Sequence, residues 1–392
     1  MLSELSEPTD NDFIPLSVPD LSGTELSYLQ ECISTNWLSS SGPFVHKFEI
    51  ELAKYVGVSQ AVATSSGTAA LHIALLIAGI EPNDEVLLPT LTFIAPANAV
   101  RYCGAWPVFI DADPKTWQMD VEKAALFIDE ECMAVDGYLI NRNSGRREKA
   151  ILPVHLLGHP VDMAAVMELA DKNGLHVIED ATESLGTKYY GQMLGSIGHV
   201  GVFSFNGNKL ITSGGGGAVV TESPELAARA RYLSTQAKED SIEYIHHEIG
   251  YNYRLTNVQA AIGLAQIEDI DRRLERKRAI AKRYQSELKD LQGITTPVEP
   301  NGTLSSWWLY TILVEKTFGM DSRSLLRILE SKSIQARPLW QPLHRSPAHN
   351  GVSAYGGTVA DHIYASALSL PSSVGLSETD ISRVTQVIKE AQ

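Results

Sequence analysis

The sequence predicts an α/β protein in which a mostly parallel sheet is sandwiched by helices in a large domain, followed by a smaller C-terminal α+β domain. Up to residue 255, short apolar strand patterns alternate with helical segments, which is typical of a parallel sheet covered on both faces. A long helical pattern begins at Thr256. The strand and helix patterns beyond it are enough for a second, smaller domain. We therefore predict a large domain over residues 13–255 and an interdomain helix with the small domain over 256–392.

Composition excludes several classes of function. The chain has 392 residues and a net charge of −15, which disfavours a nucleic-acid surface because phosphate backbones require clustered Lys and Arg. Its three cysteines, Cys32, Cys103 and Cys132, have no metal-ligand spacing, so we expect reduced thiols and no metal site. Residues 1–12 are acidic and predict a disordered tail without a signal peptide. No apolar run is long enough to cross a membrane, and a cytoplasmic protein is expected.

The first candidate binding motif follows a predicted strand over residues 61–64. The small-residue turn Ser65–Thr68 leads directly into a helix, and this arrangement points backbone N–H groups and the positive helix end at an anion such as phosphate. A simple helix cap is the alternative and, taken alone, the better-supported one. No Gly-Lys-Ser/Thr follows, so the turn is not a Walker loop.

Three more buried-type strand patterns continue the predicted sheet, at residues 85–89, 107–111 and 150–154. Between the last two, residues 137–149 resemble an inserted hairpin centred on Asn143-Ser144-Gly145, without an assigned function.

A candidate carboxylate ends the next strand, which runs from Leu175 into Glu179-Asp180. Open α/β sheets bind ligands at the carboxyl ends of their strands, and a carboxylate buried there requires a cation. Asp180 is therefore a candidate partner for a protonated heterocyclic nitrogen. Its alternative role is to cap the following turn.

The chemistry is predicted to lie at Lys209. This lysine sits between the apolar strand that begins at Val202 and four glycines, Gly214–Gly217. A lone lysine is usually a solvated surface charge. Here, buried-type neighbours and glycines favour a lysine of lowered pKa, as Schiff-base chemistry requires.

The rest of the chain is predicted from simpler patterns. Residues 236–253 predict a long polar loop, and residues 256–291 predict one long or kinked helix whose charged middle, 271–278, is most simply a solvated face. The small domain is expected to contain a strand at 307–314 and helices at 324–330 and 377–390.

An anion-binding turn, a strand-end carboxylate and an amine are the three groups that pyridoxal 5′-phosphate (PLP) requires. At these motifs the sequence resembles, over nearly its whole length, the sugar aminotransferases of the fold-type I PLP family grouped as DegT/DnrJ/EryC1/StrS. The resemblance implies a fold-type I PLP transferase. It also implies Lys209 as the Schiff-base lysine and proton shuttle and Asp180 as the partner of the pyridine nitrogen.

The resemblance implies further contacts to the cofactor. Phe93 would stack on the ring and Glu183 would lie beside the ring hydroxyl, while Gly67, Thr68 and Ser204 would hold the phosphate. Asn252 would reach the phosphate of the neighbouring subunit, which implies a homodimer with shared sites. L-Glutamate would be the amino donor, a nucleotide sugar the acceptor and 2-oxoglutarate the co-product.

Two departures from the family pattern narrow the implied substrate. Many relatives have Gly-Glu-Gly-Gly where this chain has Gly214–Gly217, and His or Gln where it has Glu183. With Asn206-Gly207-Asn208, these departures resemble the branch that aminates UDP-4-keto-6-deoxy-N-acetylhexosamines, on the route to bacillosamine or legionaminic acid.

Candidate substrate contacts and rival functions remain open at this point. Arg254 and Arg337 are candidates for the diphosphate, with surface salt bridges as the alternative. Trp37 and Trp340 are candidates for the sugar or nucleotide pocket, with core packing as the alternative. The rival functions are a PLP-binding sugar dehydratase, whose relatives lack the lysine, and a non-catalytic PLP-binding regulatory protein, although no helix-turn-helix is evident.

Overall fold

A computed structural model describes residues 12–21, 23–240 and 242–392, so the predicted tail lies outside the described residues except for Asp12. The helices are α1 (Glu25–Ser34), α2 (Pro43–Val56), α3 (Gly67–Ile77), α4 (Ala95–Tyr102), α5 (Val121–Glu131), α6 (Met163–Asn173), α7 (Pro224–Ser234), α8 (Asn257–Glu268), α9 (Ile270–Leu288), α10 (Ser322–Ser331), α11 (Thr358–Ser366) and α12 (Glu378–Glu390). In the described chain, none of these helices has the length and apolarity to cross a membrane.

The strands are β1 (Gln60–Thr64), β2 (Glu85–Pro89), β3 (Trp106–Ile110), β4 (Cys132–Val135), β5 (Tyr138–Asn141), β6 (Glu148–Ile151), β7 (His176–Asp180), β8 (Lys188–Tyr189), β9 (Gln192–Met193), β10 (Val200–Ser204), β11 (Gly217–Thr221), β12 (Ile294–Thr295), β13 (Thr303–Leu304), β14 (Tyr310–Val314), β15 (Ala354–Tyr355) and β16 (Ala367–Leu370).

The central sheet has the strand order β1-β11-β10-β7-β6-β2-β3-β15. Strand β11 is antiparallel to both of its neighbours, and the other pairs are parallel. The predicted mostly parallel sheet is therefore confirmed.

Helices cover both faces of this sheet because successive strand residues point to opposite sides. On β10, Val202 packs into a core shared with α3 and α4, whereas Phe203 packs into a core shared with α2 and α8. Fully apolar strands buried on both faces fit this sandwich.

The strand ends meet where the candidate residues lie. Val202 on β10 pairs with Asp180 on β7 in a parallel ladder, so both strands end at the same edge. Strand β1 leads into α3 at Gly67, and an isolated bridge joins Ser66 to Gly216. The phosphate turn, the aspartate and the lysine loop therefore converge on one edge of the sheet.

The predicted long helix is broken at Asp269 into α8 and α9. Its charged middle is not a uniformly solvated face, because Arg273 and Lys277 are buried. The prediction for 271–278 was wrong at these two positions, since α9 is covered from more than one side. The loop between α7 and α8 was predicted correctly.

The C-terminal region contains a second sheet of order β12-β14-β16, packed with α10 and α12 around one apolar core. Ile14 forms a bridge to Ile334 and belongs to this core, and β15 extends the central sheet beside β3. Contacts therefore cross the predicted boundary at residues 255–256, and the division itself remains a prediction.

The insertion begins earlier than predicted. Strands β4 and β5 form an antiparallel hairpin in which Val135 pairs with Tyr138 across Asp136-Gly137. The predicted centre at Asn143–Gly145 is instead the turn that leads from β5 toward β6.

Candidate active site

A cavity of about 350 Å³ lies at the edge where β7, β10 and the start of α3 meet. It brings together most of the predicted site residues, from five separate parts of the chain. Those that line it are Gly67, Thr68, Phe93, Asp180, Glu183, Ser204, Lys209 and Trp340.

Lys209 lies in the turn between β10 and β11, where its N–H donates to the carbonyl of Asn206 at 3.0 Å. Its side chain is 14% exposed, and Nζ lies 3.8 Å from Oε1 of Glu183. Burial lowers the pKa of Lys209, and the attraction of Glu183 and Asp180 opposes this shift. A lysine whose pKa is lowered carries a larger fraction of the neutral, nucleophilic amine.

Asp180 ends β7 with its side chain directed into the cavity. Oδ1 accepts the N–H of Thr182 at 3.0 Å. Burial raises the pKa of Asp180, while the hydrogen bonds from Thr182 and the charge of Lys209 oppose the rise. The carboxylate of Asp180 therefore caps the following turn and also faces the cavity.

The adjacent carboxylate, Glu179, has a different role because it points to the other face of β7. Its oxygens accept backbone N–H groups from Gly195 at 2.8 Å, Ile197 at 2.7 Å and Gly198 at 2.6 Å. Oε2 also lies 3.1 Å from Nε2 of His155. Glu179 is fully committed to structure, so only Asp180 of the pair is available to a ligand.

Glu183 is held beside Lys209 by an uncommon backbone conformation. Its Oε2 accepts the N–H of Leu157 at 2.7 Å, and Leu157 has a φ of 60°. Non-glycine residues rarely adopt this conformation, and it often marks a functional site. Burial raises the pKa of Glu183 to about 7, against the attraction of Lys209.

The start of α3 is both capped and open to the cavity. The hydroxyl of Ser66 accepts the N–H of Ala69 at 3.0 Å, which confirms a helix cap. A Cβ at Gly67 would fall 2.8 Å from Cβ of Ser204, and one at Gly217 would fall 2.6 Å from N of Gly67. Glycine is needed at these positions so that the helix start can approach the ends of β10 and β11.

Aromatic side chains form one wall of the cavity. Phe93 is 50% exposed and lies edge-on to Trp340, with ring centroids 6.0 Å apart. Trp308 stacks on Trp340 at 6.3 Å with an interplanar angle of 7°. Its ring centroid is 4.1 Å from Nζ of Lys209.

Sequence reasoning missed several residues of the cavity. Trp308 lies within the strand predicted at 307–314, where an aromatic residue is indistinguishable from core. Asn206 and Asn208 were noted as markers of a subfamily and not as lining residues, although their position beside Lys209 could have indicated it. Thr92 and Thr182 are two further polar residues of the lining.

Two of the predicted substrate residues lie outside the cavity lining. Trp37 is 48% exposed, so the core packing given as its alternative is wrong, and its main-chain carbonyl accepts a hydrogen bond from Nδ2 of Asn257 at 2.8 Å. Nη1 of Arg337 lies 3.3 Å from Oε1 of Glu330, which is the surface salt bridge expected as its alternative. Their substrate roles stay predictions that this geometry does not support.

Asn252 and Arg254 also lie outside the lining of the chain's own cavity. The main chain of Asn252 bridges to Thr235, and its side chain is exposed. The main chain of Arg254 bridges to Thr64, next to the phosphate turn. An exposed Asn252 is compatible with a contact to another subunit.

These residues fit PLP. The buried carboxylate of Asp180 suits a protonated ring nitrogen, the start of α3 suits a phosphate, and the cavity contains an amine of lowered pKa. Gly67 and Gly217 let the helix start lie against the ends of β10 and β11, an approach that an added Cβ would prevent. Phe93 offers an exposed aromatic face to a ring.

Comparison with solved structures gives the same fold. A DegT DnrJ EryC1 StrS aminotransferase from Brucella abortus superposes with a TM-score of 0.85 at 33% identity, over 93% of this chain and 94% of that one. DesV of S. venezuelae gives a TM-score of 0.84 at 33% identity, over 94% of each chain.

Sequence comparison extends the likeness to characterised proteins. The GDP-perosamine synthase of Caulobacter vibrioides is 38% identical over 96% of this chain and 98% of its own length. A putative pyridoxal phosphate-dependent aminotransferase of Bacillus subtilis, EpsN, is 38% identical over 96% and 95%. The model of the DegT/DnrJ/EryC1/StrS aminotransferase family matches residues 19–389. The chain therefore belongs to this family and is a PLP-dependent sugar aminotransferase of fold-type I.

Proposed function

We propose that the protein transfers the amino group of L-glutamate to C4 of a nucleotide-linked 4-keto-6-deoxyhexose, releasing 2-oxoglutarate and the 4-amino sugar. The observation that carries this proposal is the buried amine of Lys209, which shares one cavity with Asp180 and the start of α3. A dehydratase without such a lysine, or a binding protein without chemistry, would not require this arrangement.

PLP supplies a carbonyl that condenses with primary amines and a ring that withdraws electrons from the bond to be broken. Lys209 would hold this carbonyl between turnovers. Because burial lowers its pKa, the amine displaced by glutamate can accept a proton from one carbon and return it to another. The keto sugar would then receive nitrogen through the same proton transfers in reverse order.

The other residues bind and orient. Asp180 would keep a ring nitrogen protonated by pairing with it, since a buried carboxylate gains most from a cation. Glu183, with a pKa of about 7, can accept or donate a hydrogen bond at the ring hydroxyl near neutral pH. Gly67, Thr68 and Ser204 would hold the phosphate, and Phe93 would cover the ring.

The nucleotide and the sugar are the finer part of the proposal. The resemblance stated from Glu183 and the Asn206–Asn208 stretch supports a UDP-4-keto-6-deoxy-N-acetylhexosamine. A GDP-linked keto sugar is the second candidate, because GDP-perosamine synthases of three organisms are 36–38% identical to this chain. A nucleotide-sugar substrate and three free, buried cysteines support a cytoplasmic location.

A homodimer would complete the site. The loop between α7 and α8 exposes large apolar side chains, with Ile242 81% and Ile249 83% exposed, and Leu26 on α1 is 79% exposed. Exposed apolar side chains of this size are typical of an interface. Asn252 follows the same loop, so a partner subunit on this surface would bring it toward the partner's phosphate site.

The substrate proposal is tested by supplying purified enzyme and PLP with L-glutamate and UDP-, GDP- or dTDP-linked 4-keto-6-deoxy sugars, while measuring 2-oxoglutarate release. We expect sustained turnover with the UDP-N-acetylhexosamine substrate. Preference for the GDP sugar would show that the proposed nucleotide is wrong and that the proposed reaction is right. If none of the sugars supports release of more than one equivalent of 2-oxoglutarate per active site, the proposed acceptor is contradicted.

Shared sites are tested by mixing two inactive variants, Lys209→Ala and Asn252→Ala, under conditions that exchange subunits. A hybrid dimer has one intact site if Asn252 serves the partner's cavity, so activity should recover to about a quarter of the wild-type value. If Asn252 serves its own chain, mixing restores nothing.

A further inference from the structure

A second buried lysine, outside the cavity, is connected to the active site. Lys277 on α9 is buried, and its Nζ donates to the main-chain carbonyls of Trp308, at 2.8 Å, and of Ser372. Within the described chain no carboxylate pairs with it, and burial lowers its pKa to about 7. A buried amine held only by carbonyl oxygens is an expensive way to stabilise a fold, because an apolar side chain would avoid the desolvation.

The residue that Lys277 holds reaches Lys209 in two ways. The indole N–H of Trp308 donates to the carbonyl of Asn208 at 2.7 Å, directly before Lys209 in the chain. The face of the same indole lies over the Lys209 amine, with 4.1 Å between Nζ and the ring centroid. Trp340 stacks nearly parallel to this indole, with ring centroids 6.3 Å apart.

We propose that Lys277 is a positioning residue that fixes the main chain of Trp308, so that the indole holds the displaced side chain of Lys209, in its ammonium form, at the cofactor site. The inference rests on the proposed role of Lys209. During transamination the lysine is displaced and has to remain within reach of the reacting carbon. The electron-rich face of an indole attracts an ammonium by ~0.5–2 kcal/mol, which is enough to favour one position of a flexible side chain.

The indole of Trp308 and the amine of Lys209 come from different parts of the fold, so a contact is needed to fix one relative to the other. Trp308 lies just before β14 of the second sheet, whereas Lys209 lies in the turn that leaves β10 of the central sheet. Lys277 ties the main chain at Trp308 and Ser372 to α9. Without this tie, the position of the indole relative to Lys209 would depend on its hydrogen bond to Asn208 and on side-chain packing.

The test measures Lys209 in the apoprotein and therefore does not depend on turnover. The rate at which an amine-directed acylating reagent modifies Lys209 is followed by mass spectrometry of its peptide, from pH 6 to pH 10. The carboxylates that face Lys209, Asp180 and Glu183, are unchanged in all variants.

Lys277→Met should increase modification of Lys209 near neutral pH by ~2–5-fold, because the indole would no longer stabilise the ammonium. Trp308→Leu, which removes the aromatic face, should give the same increase. Combining the two should add nothing further, since Lys277 acts through Trp308. Lys282→Met is the matched control, because Lys282 is exposed on the same helix.

Unchanged modification of Lys209 in Lys277→Met would overturn the inference, as would an equal further increase in the Trp308→Leu background. If Lys277→Met does not fold, Trp308→Leu alone decides, and a wild-type rate in that variant would also overturn it. Should no keto sugar be aminated while these rate changes are observed, the proposed function fails and the positioning role of Lys277 stands.

Discussion

Lys209 and Lys277 are both buried lysines whose pKa is lowered by desolvation. Lys209 faces a cavity and two carboxylates, and its side chain retains 14% exposure. Among the described residues, the hydrogen-bond partners of the Lys277 amine are the main-chain carbonyls of Trp308 and Ser372. Burial makes either amine easier to deprotonate, but only the first has room for a ligand and groups that can bind it.

The comparison shows that a lowered pKa alone does not identify a catalytic lysine. What separates the two is the cavity beside the amine of Lys209, at an edge where glycines let the start of α3 lie against the strand ends. Substitutions that affect one lysine and spare the other test this distinction.

The largest expected effect is on turnover. Lys209→Ala should lower kcat by at least ~10³-fold, because both the amine that holds the cofactor and the proton carrier are lost. The apoprotein should unfold at the same or a higher temperature, since a buried amine is removed. Lys277→Met should lose far less activity, and equal losses in the two variants would erase the distinction.

The neighbouring carboxylates on β7 repeat the contrast. Asp180→Asn should lower kcat by ~10²-fold with little loss of stability, because the amide cannot balance a protonated ring nitrogen. Glu179→Gln should instead destabilise the fold by ~3 kcal/mol, since three N–H groups and His155 lose a buried charge. Activity assays and urea unfolding of both variants are the measurements. Reversed effects would contradict the assignment of the two residues.

The space at the start of α3 can be filled directly. Gly67→Ala should weaken PLP binding by ~10-fold, because the new Cβ would lie 2.8 Å from Cβ of Ser204 and displace the helix start. Gly375→Ala is the matched control, since a Cβ there meets nothing within 4 Å. Binding is measured by titrating apoprotein with PLP, and equal affinities in the two variants would count against a phosphate site at this turn.

The smallest effect concerns stability against pH. Lys277 has a folded-state pKa of about 7 against an ordinary value of 10.5. Between these values the unfolded chain binds a proton that the folded chain has released, so this lysine makes stability rise with pH and fall as pH drops toward 7. In Lys277→Met the rise should be smaller by at most ~1.4 kcal/mol per pH unit.

Urea unfolding of the wild-type protein, Lys277→Met and Lys282→Met at several pH values checks this. Lys282→Met should follow the wild-type profile. Parallel profiles for the wild type and Lys277→Met would show that Lys277 is not buried as an amine of lowered pKa.

Much of the site was predictable because its signals are local. A strand followed by Ser65–Thr68, a strand that ends in Asp180, and a lysine beside four glycines each carry a physical reason that is readable without a structure. Their convergence also agrees with the rule that parallel strands end at one edge.

The remainder depended on contacts between distant segments. Lys277 stands in a run of charges that predicts solvent exposure, and nothing local indicates that the carbonyls of Trp308 and Ser372 accept its hydrogen bonds in the interior. Trp308 and Leu157 act on residues that are distant in sequence. The indole of Trp308 lies over the amine of Lys209, and the N–H of Leu157 donates to Glu183. Such roles have no period or spacing that a single sequence could display.

The central claim is that Lys209, and not Lys277, is the amine that holds PLP. Reducing the PLP-loaded enzyme with borohydride fixes the cofactor on the lysine that carries it, and peptide mass spectrometry then locates the label. We expect one pyridoxyl phosphate per chain, on Lys209, with Lys277 unlabelled. A pyridoxyl label on Lys277, or a full equivalent of covalently attached label in Lys209→Ala, would contradict the assignment of Lys209.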